Sequence, residues 1–452
     1  MLYRKIRSYI DDHLRSNEDK ILLIEGARQI GKSYIIRDVG IELYDNYVEI
    51  NFVEDDAGDK IFRNVRTTEE FYLNLSMVAG FKLDKYENTL VFIDEIQHYP
   101  QFLTMLKFLR QEHRYRFICS GSLLGIALKK TVSVPVGSII PKKMYQLDFE
   151  EFLIANDFGE DAIVHLRKSF EQKQPLAPEV HDKVLSLFKR YLLVGGMPDA
   201  VNEYLNSHNI VKVREAQESI RELYGVDASR YEEDAAKKLY IRRIYDMIPS
   251  QMENKKKRIV AKDILDRKGD RFSNYMEEFE YLINSGITIA SNAISNPKYP
   301  LAESQQKNLL KLYMNDVGML SSQLYHYNIQ PILNDIAGIN LGSVYESAVA
   351  QELKAHYEKL FYYDNKQKGE VDFLVDDSDT MSVLPIEVKS GKDYTVHSAL
   401  DNLMAIQDYH IVSSIVLSNE REIKTKGNVL YLPIYYVMFL ENKMPEKENL
   451  YF

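Results

Sequence analysis

The stretch Ile21–Tyr34, ILLIEGARQIGKSY, restricts what this chain can fold into more than any other segment. Four apolar residues, Ile21–Ile24, read as a buried strand. A loop with glycines at positions 26 and 31 follows, and SYIIRDVG then suits a helix. Gly26, Gly31, Lys32 and Ser33 fit G-x-x-x-x-G-K-[ST], a pattern that carries meaning only between a strand and a helix. Backbone N–H groups in such a loop wrap phosphates, and the helix N-terminus adds partial positive charge. Gly26, Ala27, Arg28, Gln29, Ile30, Gly31, Lys32, Ser33 and Tyr34 are therefore expected to bind a nucleotide, ATP. Lys32 would reach the β- and γ-phosphates, and Ser33 would ligate Mg²⁺.

The segments around this loop extend the expectation. Residues 1–18 suit an amphipathic helix, with Leu2, Ile6, Ile10 and Leu14 four apart, packed on the domain that follows. Tyr47–Val53 is a second strand and Phe71–Val78 a helix. Thr89–Glu95, TLVFIDE, runs four apolar residues into two carboxylates, as a central parallel strand does. Its C-terminal end is where an open α/β sheet binds ligands. Asp94 would hold the Mg²⁺ shell, and Glu95 would orient or deprotonate the attacking water. Arg116–Cys119 is the next strand. Ser120 and Ser122 at its tip are both candidates to sense the γ-phosphate. A fifth strand is expected at Lys143–Leu147, with Asp148 capping the helix that starts DFEEFL. Strands alternating with helices predict an α/β fold whose parallel sheet is covered on both faces.

GARQIGKS, LVFIDEIQ, CSGSLLG, MYQLDFEEFL and YLLVGGMPDAV together resemble a widespread prokaryotic AAA+-type ATPase family that carries a C-terminal domain of unknown function. The resemblance implies a P-loop ATPase core at 1–148 and a helical lid at 149–205. Gly195-Gly196-Met197-Pro198 within the lid reads as a structural break, two glycines and a proline ending one helix and redirecting the chain. Relatives place a basic residue after the glycine of the segment matching SVPVGSII, where this chain has Ser138. Lys142, Lys143 and Arg110 remain as substitutes for an arginine finger. The resemblance also implies a homo-oligomer or a partner protein.

Residues 206–330 read as helices followed by a hairpin. Ala261–Arg267 and Asn274–Ser285 are two short helices, and Ile287–Ala293 and Leu310–Met314 two apolar strands, the outline of a winged helix. Lys237, Lys238, Arg242, Arg243, Lys255, Lys256, Lys257 and Arg258 would grip DNA phosphates without reading bases.

Residues 331–447 hold a second constellation. Val344–Leu353 is a helix carrying Glu346. GEVDFLV places Asp372 inside a strand, and VLPIEVKSGK places Glu387 and Lys389 on one face of the next. Two carboxylates and an amine around one point would bind Mg²⁺ or Mn²⁺ and activate water against a phosphodiester. The D…E-x-K order resembles the PD-(D/E)XK nuclease superfamily, with Val371 in place of the eponymous proline. The resemblance implies a restriction-endonuclease-like α/β domain with Asp372, Glu387 and Glu346 at the metal and Lys389 on the water. The alternative is a fold of that shape that binds DNA or a partner without cutting.

Composition excludes several classes. At 452 residues the chain has room for about three domains, and 45% apolar residues exclude global disorder. A net charge of −10 argues against a protein that is basic overall. Cys119 is the sole cysteine, so neither a disulfide framework nor a cysteine zinc site is expected. There is no signal peptide and no apolar run of about 18 residues, which predicts a soluble, cytoplasmic protein with no membrane partner. ENLYF at 448–452 reads as the remnant of a cleavage tag. Two functions remain: an ATP-hydrolysing protein that acts on DNA through a metal-dependent nuclease-like domain, or a nucleotide-switched clamp whose nuclease-like domain is inactive.

Overall fold

The computed structural model describes residues 2–51, 60–80, 83–122, 137–230, 234–254, 257–265, 269–304, 309–336, 339–391 and 393–441. Leu123–Val136, Lys255, Lys256, Arg267 and the ENLYF segment lie outside the described residues. The chain divides into two units, residues 1–146 with 281–287, and residues 147–280 with 288–452. Among the described residues no helix is long and apolar enough to cross a membrane.

In the first unit the apolar runs do become strands: β1 (Ile21–Glu25), β2 (Asn46–Asn51), β3 (Thr89–Asp94), β4 (Arg116–Gly121) and β5 (Ile139–Lys143). They form one sheet in the order β2-β3-β4-β1-β5, every pairing parallel. Leu23, Val91, Ile93, Phe117 and Cys119 face one way. They pack on Phe71 and Leu75 of α3 (Thr68–Ala79) and on Phe102, Leu106 and Leu109 of α4 (Pro100–Glu112). The alternate residues Leu22, Ile24, Leu90, Phe92 and Ile118 face the other way and are fully buried. On that side α2 (Lys32–Leu43) packs against β2, β3 and β4 and carries α1 (Lys5–Arg15) on its back. The fifth strand lies upstream of Lys143–Leu147. Ile139 and Ile140 align with Ile21 and Leu22, and Ile21 N–H donates to the Ser138 carbonyl at 3.0 Å, so pairing with β1 decides its position.

The second unit begins with helices: α5 (Phe149–Ala155), α6 (Glu160–Glu171), α7 (Pro178–Val194), α8 (Pro198–Ser207), α9 (Ile210–Arg230) and α10 (Ala235–Glu253). Asp148 and Glu151 form the capping box of α5. The sheet of this unit is mixed: β6 (Thr288–Ile294), β7 (Leu310–Met314), β8 (Leu360–Asn365), β9 (Gly369–Asp377), β10 (Ser382–Lys389), β11 (Ser414–Ser418), β12 (Lys424–Lys426) and β13 (Val429–Pro433). The strand order is β12-β13-β11-β10-β9-β8-β6-β7. The hairpin β6–β7, expected as a wing, is antiparallel but forms the edge of this sheet, because β6 also pairs in parallel with β8. Residues 434–439 form a 3₁₀ turn after β13. Phe361, Tyr363, Val371, Leu374, Val383 and Val416 cover one face with Leu400 and Leu403. Helix α12 (Gly342–His356), buried over most of its length, packs on β6, β7, β8 and β10. Before it, α11 (Val317–Tyr325) is capped by Asp316, whose Oδ1 accepts from Met319 N–H at 3.1 Å.

Candidate functional site: a phosphate loop and a lysine-filled carboxylate cluster

β1 delivers the chain to Gly26 at the C-terminal edge of its sheet. A Cβ at Gly26 would lie 2.3 Å from the Met144 carbonyl oxygen, so only glycine fits. Gln29 (φ 63) and Gly31 (φ 91) are left-handed, and Gly31 caps α2. Lys32 is buried, its ammonium donating to the carbonyls of Gly26 at 3.0 Å and Ala27 at 2.7 Å. Burial lowers its pKa, against the pull of Glu95 and Asp94. Tyr34, one turn into α2, is exposed.

Strand register brings the carboxylates to the loop. Asn51 aligns with Asp94, and Ile93 with Cys119, so Asn51, Asp94 and Ser120 end neighbouring strands in a row. Asp94 Oδ2 accepts from Ser33 Oγ at 2.7 Å and Asn51 Nδ2 at 3.2 Å. Its Oδ1 accepts from Ser120 Oγ and from the Glu95 N–H. Burial nevertheless raises Asp94 above the usual carboxylate range, although Ser120 and Ser33 oppose it. A hydroxyl and a carboxylate in contact, with the anion destabilised by burial, fit Mg²⁺, a hard cation that takes oxygen ligands.

Glu95 follows with φ 50. Its Oε2 accepts from Ser122 Oγ at 3.2 Å and from Gln97 Nε2, which also donates to Ser122 Oγ at 3.1 Å. Burial pushes Glu95 up, but Lys32, Arg28 and the Gln97 amide pull it below the ordinary range, so it is ionised at neutral pH. Of the two serines at the tip of β4, Ser120 touches Asp94 and Ser122 touches Glu95. Arg110 is engaged inside its unit, donating to the Gly137 carbonyl at 3.0 Å and to both Asp19 oxygens at 2.9 Å. Lys142 lies over the Tyr9 ring at 4.5 Å. Asn51 and Gln97 escaped the sequence reading. The usable signal was a polar residue ending the strand beside β3 and an amide two residues past the carboxylate pair.

The second unit arranges its charged residues differently from the nuclease expectation. Glu346 on α12 is fully buried and hydrogen-bonded at both oxygens. Oε1 accepts from Lys311 Nζ at 3.0 Å and Tyr313 OH at 2.6 Å, and Oε2 from Lys257 Nζ. Lys311, itself fully buried, also pairs with Glu370 at 2.7 Å. Asp372 Oδ2 accepts from Val388 N–H at 2.8 Å, and Lys389 Nζ donates to Glu387 Oε1 at 2.8 Å. Burial, then Glu387 and Glu346, push Asp372 well above the carboxylate range. Burial acts against Glu346 too, but Lys311 and Lys257 hold it below that range. Among the described residues no group of three His, Cys, Asp or Glu side chains is placed to hold a metal ion. Glu346, Asp372 and Glu387 are thus near one another in charge but not assembled as ligands, because two ammonium groups already neutralise Glu346.

The basic run expected to grip DNA is partly spent inside the unit. Lys257 pairs with Glu346, Arg258 with Asp364 at 2.6 Å, and Lys237 with Glu277. Arg242 lies 3.7 Å from Asp246, and Arg243 donates to the Ile264 carbonyl at 3.3 Å; both are exposed on α10.

Three family models match this chain. Residues 18–153 match an AAA domain, and residues 185–327 and 341–437 match two domains of unknown function, DUF8612 and DUF4143. No curated protein matches. Among solved structures, PCH-2 of C. elegans is 15% identical at a TM-score of 0.29, over 49% of this chain and 70% of that one. The ORC1 protein of Aeropyrum pernix, in complex with DNA, is 13% identical at 0.30, over 71% and 91%. The RuvB Holliday junction branch migration motor of Thermotoga maritima is 14% identical at 0.30, over 64% and 89%. Likeness at that level says nothing of what this chain binds. The all-parallel sheet, the glycine loop with Lys32 and Ser33, the carboxylates at the end of β3 and the family match over residues 18–153 make the N-terminal part of this chain a P-loop ATPase domain of the AAA+ type.

Proposed function

We propose that this chain hydrolyses ATP and uses the cycle as a switch on a bound partner, DNA, which its second unit holds without cutting. The observation that carries the ATPase half is the convergence of Ser33 Oγ on Asp94 at 2.7 Å beside Lys32 and Glu95. In this reading the N–H groups of residues 26–34 and the Lys32 ammonium receive the phosphates, in competition with the carbonyls that Lys32 now serves. Ser33 and Asp94 would hold Mg²⁺, which when bound neutralises charge on the phosphates. Glu95, kept ionised, orients the attacking water and accepts its proton, while Gln97 and Ser122 fix its carboxylate. Loss of turnover in Lys32→Ala, with wild-type secondary structure, tests this assignment. Turnover at the wild-type rate would end it.

The non-cutting reading rests on Lys257 and Lys311, which take the charge of Glu346 that a metal would need. The exposed Arg242 and Arg243 on α10, with Lys238, support a phosphate contact. Plasmid and single-stranded DNA incubated with Mg²⁺ or Mn²⁺, with and without ATP, should be bound and left intact. Cleavage that disappears in Asp372→Ala would restore the nuclease. DNA affinity should fall steeply from low to moderate salt. Absence of binding at low salt would remove DNA as the partner and leave a protein in its place.

A further inference from the structure

A loop that turns its N–H groups toward phosphates turns its carbonyls away from them, and each buried carbonyl then needs a donor. Lys32 serves those of Gly26 and Ala27. The carbonyl of Ile30 is served from outside the loop: Arg4 donates to it through one guanidinium nitrogen at 2.9 Å. The other nitrogen donates to the Tyr145 carbonyl at 2.5 Å. Ile30 stands between left-handed Gln29 and Gly31, where the loop turns into α2. Tyr145 follows Met144, whose N–H donates to the Glu25 carbonyl at 2.7 Å and whose own carbonyl walls Gly26. One buried guanidinium therefore ties the far bend of the loop to the segment that walls its near end. Arg4 is only 5% exposed and immediately precedes α1, outside residues 18–153 that match the AAA domain.

We propose that Arg4 is a positioning residue for nucleotide binding, holding the phosphate loop in its receiving form from outside the matched domain. This rests on the ATP reading above. A planar fork can serve two carbonyls at once in fixed geometry; the single ammonium of a lysine cannot reproduce that. The loop geometry is needed equally by bound ATP and by the transition state. Removing its support therefore weakens binding uniformly, which raises KM and spares kcat.

The test uses the full chain with Arg4→Ala and Arg4→Lys, reading ATP turnover, ATP affinity by titration calorimetry and thermal unfolding without nucleotide. Hydrogen bonds to a charged group correspond to a KM for ATP raised about ten- to a hundredfold in Arg4→Ala. The kcat at saturating ATP should stay within about twofold, Arg4→Lys should fall between, and added ethylguanidine should lower the KM of Arg4→Ala. A merely structural anchor would lower the unfolding temperature and leave the KM of the folded fraction unchanged. A KM within about twofold of wild type in both variants overturns the proposal. Should Arg4→Ala fail to fold, Arg4→Lys decides alone by the same criterion. A wild-type chain that neither binds nor turns over ATP defeats the ATP reading and this inference together. Normal wild-type turnover with indifferent Arg4 variants defeats only the inference.

Discussion

Glu95 stands at φ 50, a conformation that a residue with a side chain keeps only when its surroundings hold it there. Those surroundings are Asp94, which takes its N–H, and Gln97 with Ser122, which take one oxygen of its carboxylate. Glu95→Gln should retain ATP affinity and lose at least about a hundredfold in kcat, the scale of a positioned general base. Unchanged kcat in single-turnover assays would mean that another group handles the water. The meeting of Ser33 with Asp94 beside Lys32 and Glu95 was readable because each pair is adjacent in sequence and all four residue types suit one chemistry. The contacts of Asn51, Gln97 and Arg4 were not, since each forms only when strand register or a distant chain end brings the side chain in. Lys257 and Arg258 were misread for the same reason: a run of positive charge in sequence does not reveal which members turn inward. Asp316 supplies a pH test. Burial lifts its pKa to about 6, despite the N–H groups of Gly196 and Met319. An acid raised in the folded state favours folding below its unfolded pKa, near 3.8, and loses that contribution as pH rises through about 6. Relative to Asp316→Asn, the wild type should therefore lose about 3 kcal/mol in denaturant melts between about pH 4 and pH 7. A pH-independent difference would show that Asp316 titrates as an ordinary carboxylate.

Between α7 and α8 the pair Gly195-Gly196 acts as a fitted part. Gly195 has φ 73, and a Cβ there would lie 2.0 Å from an Asp316 carboxylate oxygen. A Cβ at Gly196 would lie 2.0 Å from the Leu147 carbonyl oxygen, and the backbone of Gly196 bonds both Leu147 and Asp316. Gly196→Ala should destabilise the second unit by about 3 kcal/mol or more, read as a lowered denaturation midpoint. A shift below about 0.5 kcal/mol would show that the contact relaxes freely. The glycine–proline punctuation made this break readable in advance. The extent of β5 and the pairing of β6 were not readable, because apolar residues announce a strand without naming its neighbour. Ile139 and Ile140 became strand by lying beside Ile21 and Leu22, and the hairpin joined a sheet whose next strand, β8, starts at Leu360.

Two units with separate cores should melt separately. Calorimetry is expected to resolve two transitions. ATP with Mg²⁺ should raise the one belonging to residues 1–146 with 281–287, by an amount growing with the logarithm of ATP concentration. A chelator should not move the second transition, since ammonium groups neutralise Glu346 there. Lys257→Met should lower it by about 3 kcal/mol or more, as breaking a buried ion pair does. Chelator sensitivity in the nucleotide-free chain would point to a metal after all. The sheet of that unit has a further consequence. The strands β6 and β7 fall within residues 185–327, while β8 to β13 fall within 341–437, so two family models divide what is one hydrogen-bonded sheet. A recombination event or gene split between them would strip β8 of β6, one of its two partners, and leave a raw edge prone to self-association. The two segments should therefore be inherited as a single heritable block, whatever ATPase precedes them.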